Sequence, residues 1–140
     1  SGKSYNLDSL TVGETETPSI SRMTIGLTSD DKTFEQIKKQ LNRSVEVIKV
    51  IDYTDRFVHM KELLFVRVNG CSHQEKEELV RITGLFSAAW VDYDFSSVLL
   101  ECTQSAEKND DLIRLLGKRF AGRLEVVRGG SVAVETIGIS

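Results

Sequence analysis

The sequence has few of the residues that would mark several classes of protein. Its 140 residues contain one proline, two cysteines and two histidines, and only 7% are aromatic. No apolar run approaches the roughly 20 residues that a membrane span requires, so we predict no membrane association. Basic and acidic residues are interspersed to a net charge of −3. Nucleic-acid-binding surfaces usually gather lysine and arginine on one face, so this balance argues against nucleic acid as a partner.

The sequence also lacks the residue spacings that are typical of metal sites and of catalytic groups. Cys71 and Cys102 form no Cys-x-x-Cys pair and have no ligand spacing with His59 or His73. We predict that both cysteines are reduced, small apolar residues and that both histidines lie at the surface. Reduced cysteines and the lack of a signal-peptide pattern fit a cytoplasmic protein. No nucleophile–base pair has catalytic spacing, so we predict no catalytic residue, no metal and no cofactor in this chain.

The pattern of the first 53 residues predicts β-β-α-β. Apolar and polar residues alternate on both sides of the turn GETETPS, which is typical of a half-buried antiparallel hairpin. An amphipathic helix follows in SDDKTFEQIKKQLNR, with Ser29 or Asp30 as its cap. VEVIKVID then has the β-branched composition of a strand. Residues 54–61 are predicted to be a linker.

Residues 62–140 predict a second module with the order β-α-β-β-α-β. ELLFVRV is nearly continuous in apolar residues, as expected of a central strand buried on both faces. Ser72 and Glu75 have the spacing of a capping box at the start of a helix. The first helix is expected to bury Leu79, Ile82 and Phe86, and the second to bury Leu112, Leu115 and Leu116.

The strands of this second module are predicted in AAWVDYD, SSVLLECT and GRLEVVR. A tight turn is expected between Asp94 and Ser97, and a second turn at Gly129 and Gly130, because no helix follows these glycines to form a phosphate site. Trp90 and Tyr93 are expected to serve core and interface packing rather than to hold a cofactor.

The order β-α-β-β-α-β is that of the ferredoxin-like fold, a four-stranded antiparallel sheet with two helices on one face. The first half is the same unit without its first strand and first helix. We therefore predict an α+β protein of two ferredoxin-like modules, in residues 1–53 and 62–140, with the N-terminal one incomplete. In this topology the first strand is central, and its absence leaves backbone groups unpaired, so we expect the chain to be a fragment.

Several segments resemble one family. YNLDSLTVGETETPSISRMTI, FEQIKKQLNR, VEVIKVID and LEVVRGGSVAVE, in that order, are similar to the regulatory small subunit of acetolactate synthase, also called acetohydroxyacid synthase. The resemblance covers about residues 5–134, and in the second half it lies mainly in topology and in VVRGG. It implies an N-terminal ACT domain, which is a ferredoxin-like module that binds small amino acids, and a related C-terminal domain.

The resemblance implies a regulatory function without catalysis. Members of this family associate with a large catalytic subunit that uses thiamine diphosphate, Mg²⁺ and FAD to form acetolactate or acetohydroxybutyrate. The small subunit raises that activity and confers feedback inhibition by valine or another branched-chain amino acid. The expected partners are therefore the large subunit, a second copy of this chain and an amino-acid effector, which is expected to be valine.

The resemblance also gives Asn6 a role. In the family, the matching asparagine reaches across a dimer interface to an amino acid held by a glycine-containing loop of the partner, and that loop has no counterpart in this sequence. The backbone around Leu7 is expected to contribute. The dimer is expected to form by pairing of an edge strand with its own copy. The strand residues are Ser9, Leu10, Thr11 and Val12.

Alternatives remain open at this stage. An asparagine at the start of an edge strand can simply satisfy nearby backbone groups. A ferredoxin-like module can also bind RNA, although SRMTIGL and SVLLECT lack suitable aromatic and basic residues. A small ferredoxin-like enzyme is a third possibility, for which the sequence contains no reactive cluster.

Overall fold

A computed structural model describes residues 5–138, and these fall into two compact units. One unit contains the chain up to His59 together with the residues from Ala133 onward, and the other is Met60–Val132. Helices and strands both occur, which confirms the predicted α+β class. The first strand of the second module begins at Val58, inside the predicted linker of residues 54–61, so the domain limits themselves stay a prediction.

The first unit begins with the predicted hairpin. Strand β1 (Tyr5–Glu14) pairs antiparallel with β2 (Ser21–Ser29). Their register places apolar residues opposite one another, with Leu10 opposite Ile25 and Val12 opposite Met23. The period-two pattern therefore predicted the pairing but not the burial, because Leu10, Val12 and Met23 are more than half exposed, whereas Ser9 and Thr11 are half-buried. Helix α1 (Asp31–Arg43) follows at once, and its cap is Asp30, whose carboxylate accepts a hydrogen bond from the backbone N–H of Thr33 at 2.7 Å.

The prediction of a strand in VEVIKVID is wrong. This segment has no strand structure, and side-chain contacts hold the chain where it ends, at Asp52 and Tyr53. Asp52 forms an ion pair with Lys38 of α1 at 3.0 Å, and the hydroxyl of Tyr53 accepts a hydrogen bond from Arg22 of β2. In the ferredoxin-like order the last strand pairs only with the first. Residues 5–138 contain no strand that corresponds to the first strand of the N-terminal module. The backbone groups of VEVIKVID therefore have no neighbouring strand with which to form hydrogen bonds.

The second module has the predicted element order. It consists of β3 (Val58–Val68), α2 (His73–Phe86), β4 (Ala89–Tyr93), β5 (Val98–Gln104), α3 (Ala106–Arg119) and β6 (Leu124–Glu135). The strands are arranged β4-β5-β3-β6, with β3 and β5 in the middle. The predicted turn between Asp94 and Ser97 is present, and the Asp94 carboxylate accepts hydrogen bonds from the backbone N–H groups of Ser96 and Ser97.

The core lies on one face of this sheet. The buried residues are Leu64, Val66, Val68, Cys71, Leu79, Ile82, Val98, Leu100, Cys102, Leu112, Leu116 and Phe120. Strand β3 was predicted to be buried on both faces, but its burial alternates, and Leu63 and Arg67 are exposed. The reason is that two helices cover only one face of a ferredoxin-like sheet. Leu115 is likewise exposed rather than buried.

The connection between β3 and α2 is held by an ionic cluster around Glu75. Ser72 and Glu75 form the predicted capping box. The guanidinium of Arg123 donates to both carboxylate oxygens of Glu75, at 3.0 and 2.6 Å, and to the carbonyl of Gly70 at 2.8 Å. The hydrogen bonds from Arg123 and from the backbone of Ser72 lower the pKa of Glu75 to about 2. We therefore expect this carboxylate to keep its charge, and its hydrogen bonds to Arg123, well into the acid range.

The predicted turn at Gly129 and Gly130 is also wrong, because β6 continues through both glycines. Gly130 has φ +110°, and a Cβ at this position would lie 3.2 Å from the Cα of Glu62. Glycine in a strand commonly marks such a close approach of two backbones. Gly130 therefore lets β6 pass close to the start of β3, and the chain does not reverse here.

Candidate functional site

The residues predicted to bind an effector lie at the start of β1. Asn6 is directly opposite Thr28 of β2, and Leu7 is opposite Leu27. The side chains of Asn6 and Leu7 are both exposed. An exposed asparagine offers a carbonyl acceptor and two N–H donors, which can hydrogen bond to either end of an amino acid.

An irregularity in the hairpin lies beside Asn6. The register shifts between Leu7 and Ser9, so β1 carries one additional residue, Asp8, in a β-bulge. The Thr28 hydroxyl donates a hydrogen bond to Oδ2 of Asp8 at 2.7 Å. Asn6, Asp8 and Thr28 therefore form one polar group at this end of the hairpin, with an amide, a carboxylate and a hydroxyl. β-bulges occur preferentially at sheet edges and next to functional sites.

The bulge was missed in the sequence, but the sequence contained a signal for it. Regular alternation from Leu10 and Val12 back along the strand would place an apolar residue at position 8, whereas Asp8 stands there and the leucine is at position 7. A spacing of three in a period-two pattern is what one inserted residue produces. Reading this spacing would have identified the bulge without a structure.

The predicted dimer strand is open on one side. Within the described part of the chain, β1 pairs with β2 alone, so its second edge has no strand beside it. Ser9 and Thr11 are half-buried, whereas Leu10 and Val12 are 53% and 58% exposed. An edge of this length with exposed apolar side chains is a surface on which another strand can pair.

The histidine and cysteine side chains, which could take part in catalysis or metal binding, are not grouped together. His59 and His73 are exposed, and Cys71 and Cys102 are buried, where burial raises the pKa of each thiol. Among residues 5–138, no three histidine, cysteine, aspartate or glutamate side chains are grouped so that they could hold a metal ion. No helix in the same range is long and apolar enough to cross a membrane.

Two predicted packing residues lie on β4. The rings of Trp90 and Tyr93 are 6.1 Å apart between centroids and tilted by 59°. Trp90 packs against the core, whereas Tyr93 is mostly exposed. Trp90 therefore serves core packing as predicted, and Tyr93 lies outside the core.

A second polar cluster surrounds the buried carboxylate of Glu62. Glu62 of β3 is 8% exposed and accepts hydrogen bonds from Nδ2 of Asn109 at 3.1 Å and from Nε of Arg128 at 2.9 Å. Arg128 also donates to Asp110 at 2.7 Å and to the carbonyl of Ala106. The cluster joins β3, the first turns of α3 and β6. Its position inside the second module identifies it as structural.

Comparison with known proteins covers both modules. The family described as "Small subunit of acetolactate synthase" matches residues 61–137, and the family described as "AHAS small subunit-like ACT domain" matches residues 1–49. The crystal structure of the acetolactate synthase small subunit from Thermotoga maritima superimposes with a TM-score of 0.81 at 32% sequence identity. That match covers 96% of this chain and 83% of the Thermotoga chain.

Curated relatives agree with the structural match. The probable acetolactate synthase small subunit of Methanothermobacter thermautotrophicus is 39% identical over 132 residues, which is 94% of this chain and 77% of that protein. The acetolactate synthase small subunit of Aquifex aeolicus is 40% identical over 133 residues, or 95% of this chain and 68% of that protein. These likenesses extend through the hairpin and the second module alike.

Proposed function

Because the chain belongs to the family of acetolactate synthase small subunits, we propose that it is a non-catalytic regulatory subunit. In this proposal it raises the activity of the catalytic large subunit and makes that subunit sensitive to inhibition by valine or another branched-chain amino acid. Thiamine diphosphate, Mg²⁺ and FAD belong to the large subunit. The observation that carries the proposal is a family match that spans both modules.

The effector site of this proposal includes Asn6 and the backbone around Leu7. Both residues lie at an exposed strand end, where a small ligand can reach them. The bulge at Asp8 also supports the assignment, since it interrupts the ladder next to Asn6 and leaves polar groups available there. An amide adds no charge to the site, so it can bind a zwitterion without favouring one end through charge alone.

The two alternative functions lose their support. An RNA-binding module needs stacking and basic residues on its central strands, but Phe65 on β3 lies directly opposite Glu101 on β5, and this carboxylate would repel phosphates. A ferredoxin-like enzyme would need a reactive cluster of its own. The family match instead supports a subunit that accompanies an enzyme.

We expect the full-length subunit to increase acetolactate formation by the large subunit from the same source, and valine to reduce the activity of the complex. The isolated small subunit should not consume pyruvate, with or without thiamine diphosphate. Acetolactate is measured for each subunit alone and for the mixture, with and without valine, leucine or isoleucine. Pyruvate consumption by this chain alone, or a mixture no more active than the large subunit, would contradict the proposal.

The effector site also implies self-association through β1. Pairing of the strand Ser9–Gly13 with its own copy would satisfy backbone groups that otherwise face water and would extend the two-stranded sheet of the first unit to four strands. A two-fold axis near the middle of this segment would bring Thr11 close to Thr11 of the second copy. The proposal therefore predicts at least a dimer.

We expect sedimentation at micromolar concentration to show a dimer that Thr11→Lys weakens by up to about fivefold. Like charges placed opposite one another on paired strands cost about 1 kcal/mol, which corresponds to that factor. Thr24→Lys is the matched control, because Thr24 lies opposite Thr11 on β2 and is equally half-buried. A monomeric wild-type protein, or equal weakening by both variants, would exclude pairing through β1.

A further inference from the structure

The polar group at the start of the hairpin contains one charged member. Asn6 and Thr28 are cross-strand partners, so their side chains lie on the same face of the hairpin. The Thr28 hydroxyl donates to Oδ2 of Asp8 at 2.7 Å, which shows that the Asp8 side chain reaches the same face. Without the bulge, Asp8 would occupy a regular ladder position rather than this additional one.

The geometry leaves part of the Asp8 carboxylate available to a ligand. Thr28 uses one carboxylate oxygen of an exposed side chain and fixes its orientation. A carboxylate has about four acceptor positions, so Oδ1 and the second lone pair of Oδ2 can accept further hydrogen bonds. Asn6 and Asp8 are two residues apart, which in a strand is roughly 7 Å or less. A single small molecule can therefore contact both side chains.

The two groups differ in the ligand atoms that they prefer. The Asn6 amide can donate to a carboxylate, whereas the Asp8 carboxylate attracts a cationic donor and repels an anion. An α-amino acid presents both a carboxylate and an ammonium group on neighbouring atoms. The 2-oxo acid with the same side chain keeps the carboxylate but has a carbonyl oxygen in place of the ammonium group, and Asp8 cannot donate to this oxygen.

We propose that Asp8, oriented by Thr28, receives the α-ammonium group of the effector and makes the site select an amino acid over the corresponding 2-oxo acid. This inference rests on the proposed function for the position of the site at Asn6. It adds the residue that recognises the amino group. A regulator with this property responds to the aminated end product and not to its 2-oxo precursor.

The test is Asp8→Asn, which keeps the shape of the side chain and an acceptor for the Thr28 hydroxyl but removes the negative charge. We expect the variant to bind valine about tenfold more weakly in calorimetry of the full-length subunit, while its binding of 3-methyl-2-oxobutanoate, the 2-oxo acid of valine, is unchanged or stronger. Thr28→Val keeps the β-branched shape and removes the hydroxyl. It should weaken valine binding by a smaller factor in the same direction.

Asn6→Ala is measured alongside, because it tests whether the effector binds at this site at all, whereas Asp8→Asn tests how the ammonium group is recognised. If Asn6→Ala leaves the binding of valine, leucine and isoleucine unchanged, the effector site is elsewhere and the proposed function loses its site. If Asn6→Ala weakens binding but Asp8→Asn affects neither ligand, or weakens both equally, then Asp8 only supports the bulge and this inference is wrong. Equal melting temperatures of Asp8→Asn and wild type are the control for folding.

Discussion

Replacement of Arg128 by methionine is expected to lower the free energy of unfolding of the second module by about 2–4 kcal/mol. Among residues 5–138, Arg128 and Asn109 donate hydrogen bonds to the Glu62 carboxylate, which is 8% exposed and therefore has little contact with water. Without Arg128, the amide of Asn109 is left as the one neutral donor to this carboxylate. Arg128 itself is about one third exposed, so we place the loss below that of a fully buried pair.

The measurement is urea unfolding followed by the fluorescence of Trp90, the only tryptophan in the chain, which packs against the core of the second module. Arg114→Met is the matched control. Arg114 lies on α3 and pairs with Asp111 at 2.8 Å, but both side chains are more than half exposed, so its loss should cost less than about 0.5 kcal/mol. Similar values for the two variants would show that Glu62 does not depend on Arg128.

A double variant tests the physical reason. Glu62→Gln removes the charge that Arg128 neutralises, so Glu62→Gln combined with Arg128→Met should be more stable than Arg128→Met alone. The difference arises because a neutral amide costs less to bury without an ionic partner than a carboxylate does. A double variant less stable than Arg128→Met would indicate that packing, and not charge, determines the effect.

The fold could be predicted from the sequence wherever local pattern and long-range pairing agree. The hairpin of β1 and β2 follows from period-two alternation on both sides of a short turn, and α2 follows from the Ser72–Glu75 capping box and its apolar face. The failure in VEVIKVID has the opposite cause. Its composition favours a strand, but a strand also needs a neighbour to pair with, and composition carries no information about that neighbour.

The exposure of individual side chains was harder to predict from the sequence than the positions of the helices and strands. ELLFVRV has apolar residues at successive positions, and the pattern alone does not indicate that only one face of β3 is covered. The pair Gly129–Gly130 has the composition of a turn, yet Gly130 allows the close approach of β6 to Glu62, which lies 68 positions before Gly130 in the chain. Contacts between distant residues of this kind have no local signature.

The same distinction applies to the candidate site. Asn6 was identified by resemblance, because an isolated asparagine at a strand end carries no specific signal. Asp8 could have been found from the odd spacing of Leu7 and Leu10, but its hydrogen bond to Thr28 depends on the register of two strands. Arg128 belongs to the VVRGG motif, and its pairing with Glu62 became apparent only in the folded sheet.

Asn6→Ala in the full-length subunit is expected to raise the valine concentration for half-inhibition tenfold or more. If the Asn6 amide holds the effector, the variant loses one or two hydrogen bonds to charged ligand groups. Each is worth roughly 1.5–3 kcal/mol, and 1.4 kcal/mol corresponds to a factor of ten. The strand should persist, because Asn6 is exposed and its backbone remains paired opposite Thr28.

Activation of the large subunit is the measurement that separates sensing from assembly. It should be retained in Asn6→Ala, since an exposed side chain at the start of β1 contributes little packing to either unit. The fold activation and the valine inhibition curve are therefore recorded on the same preparations. An unchanged inhibition curve would mean that Asn6 only satisfies groups at the strand end. Loss of both properties would mean that it supports the dimer, because a residue that acts on the effector alone leaves the complex with the large subunit intact.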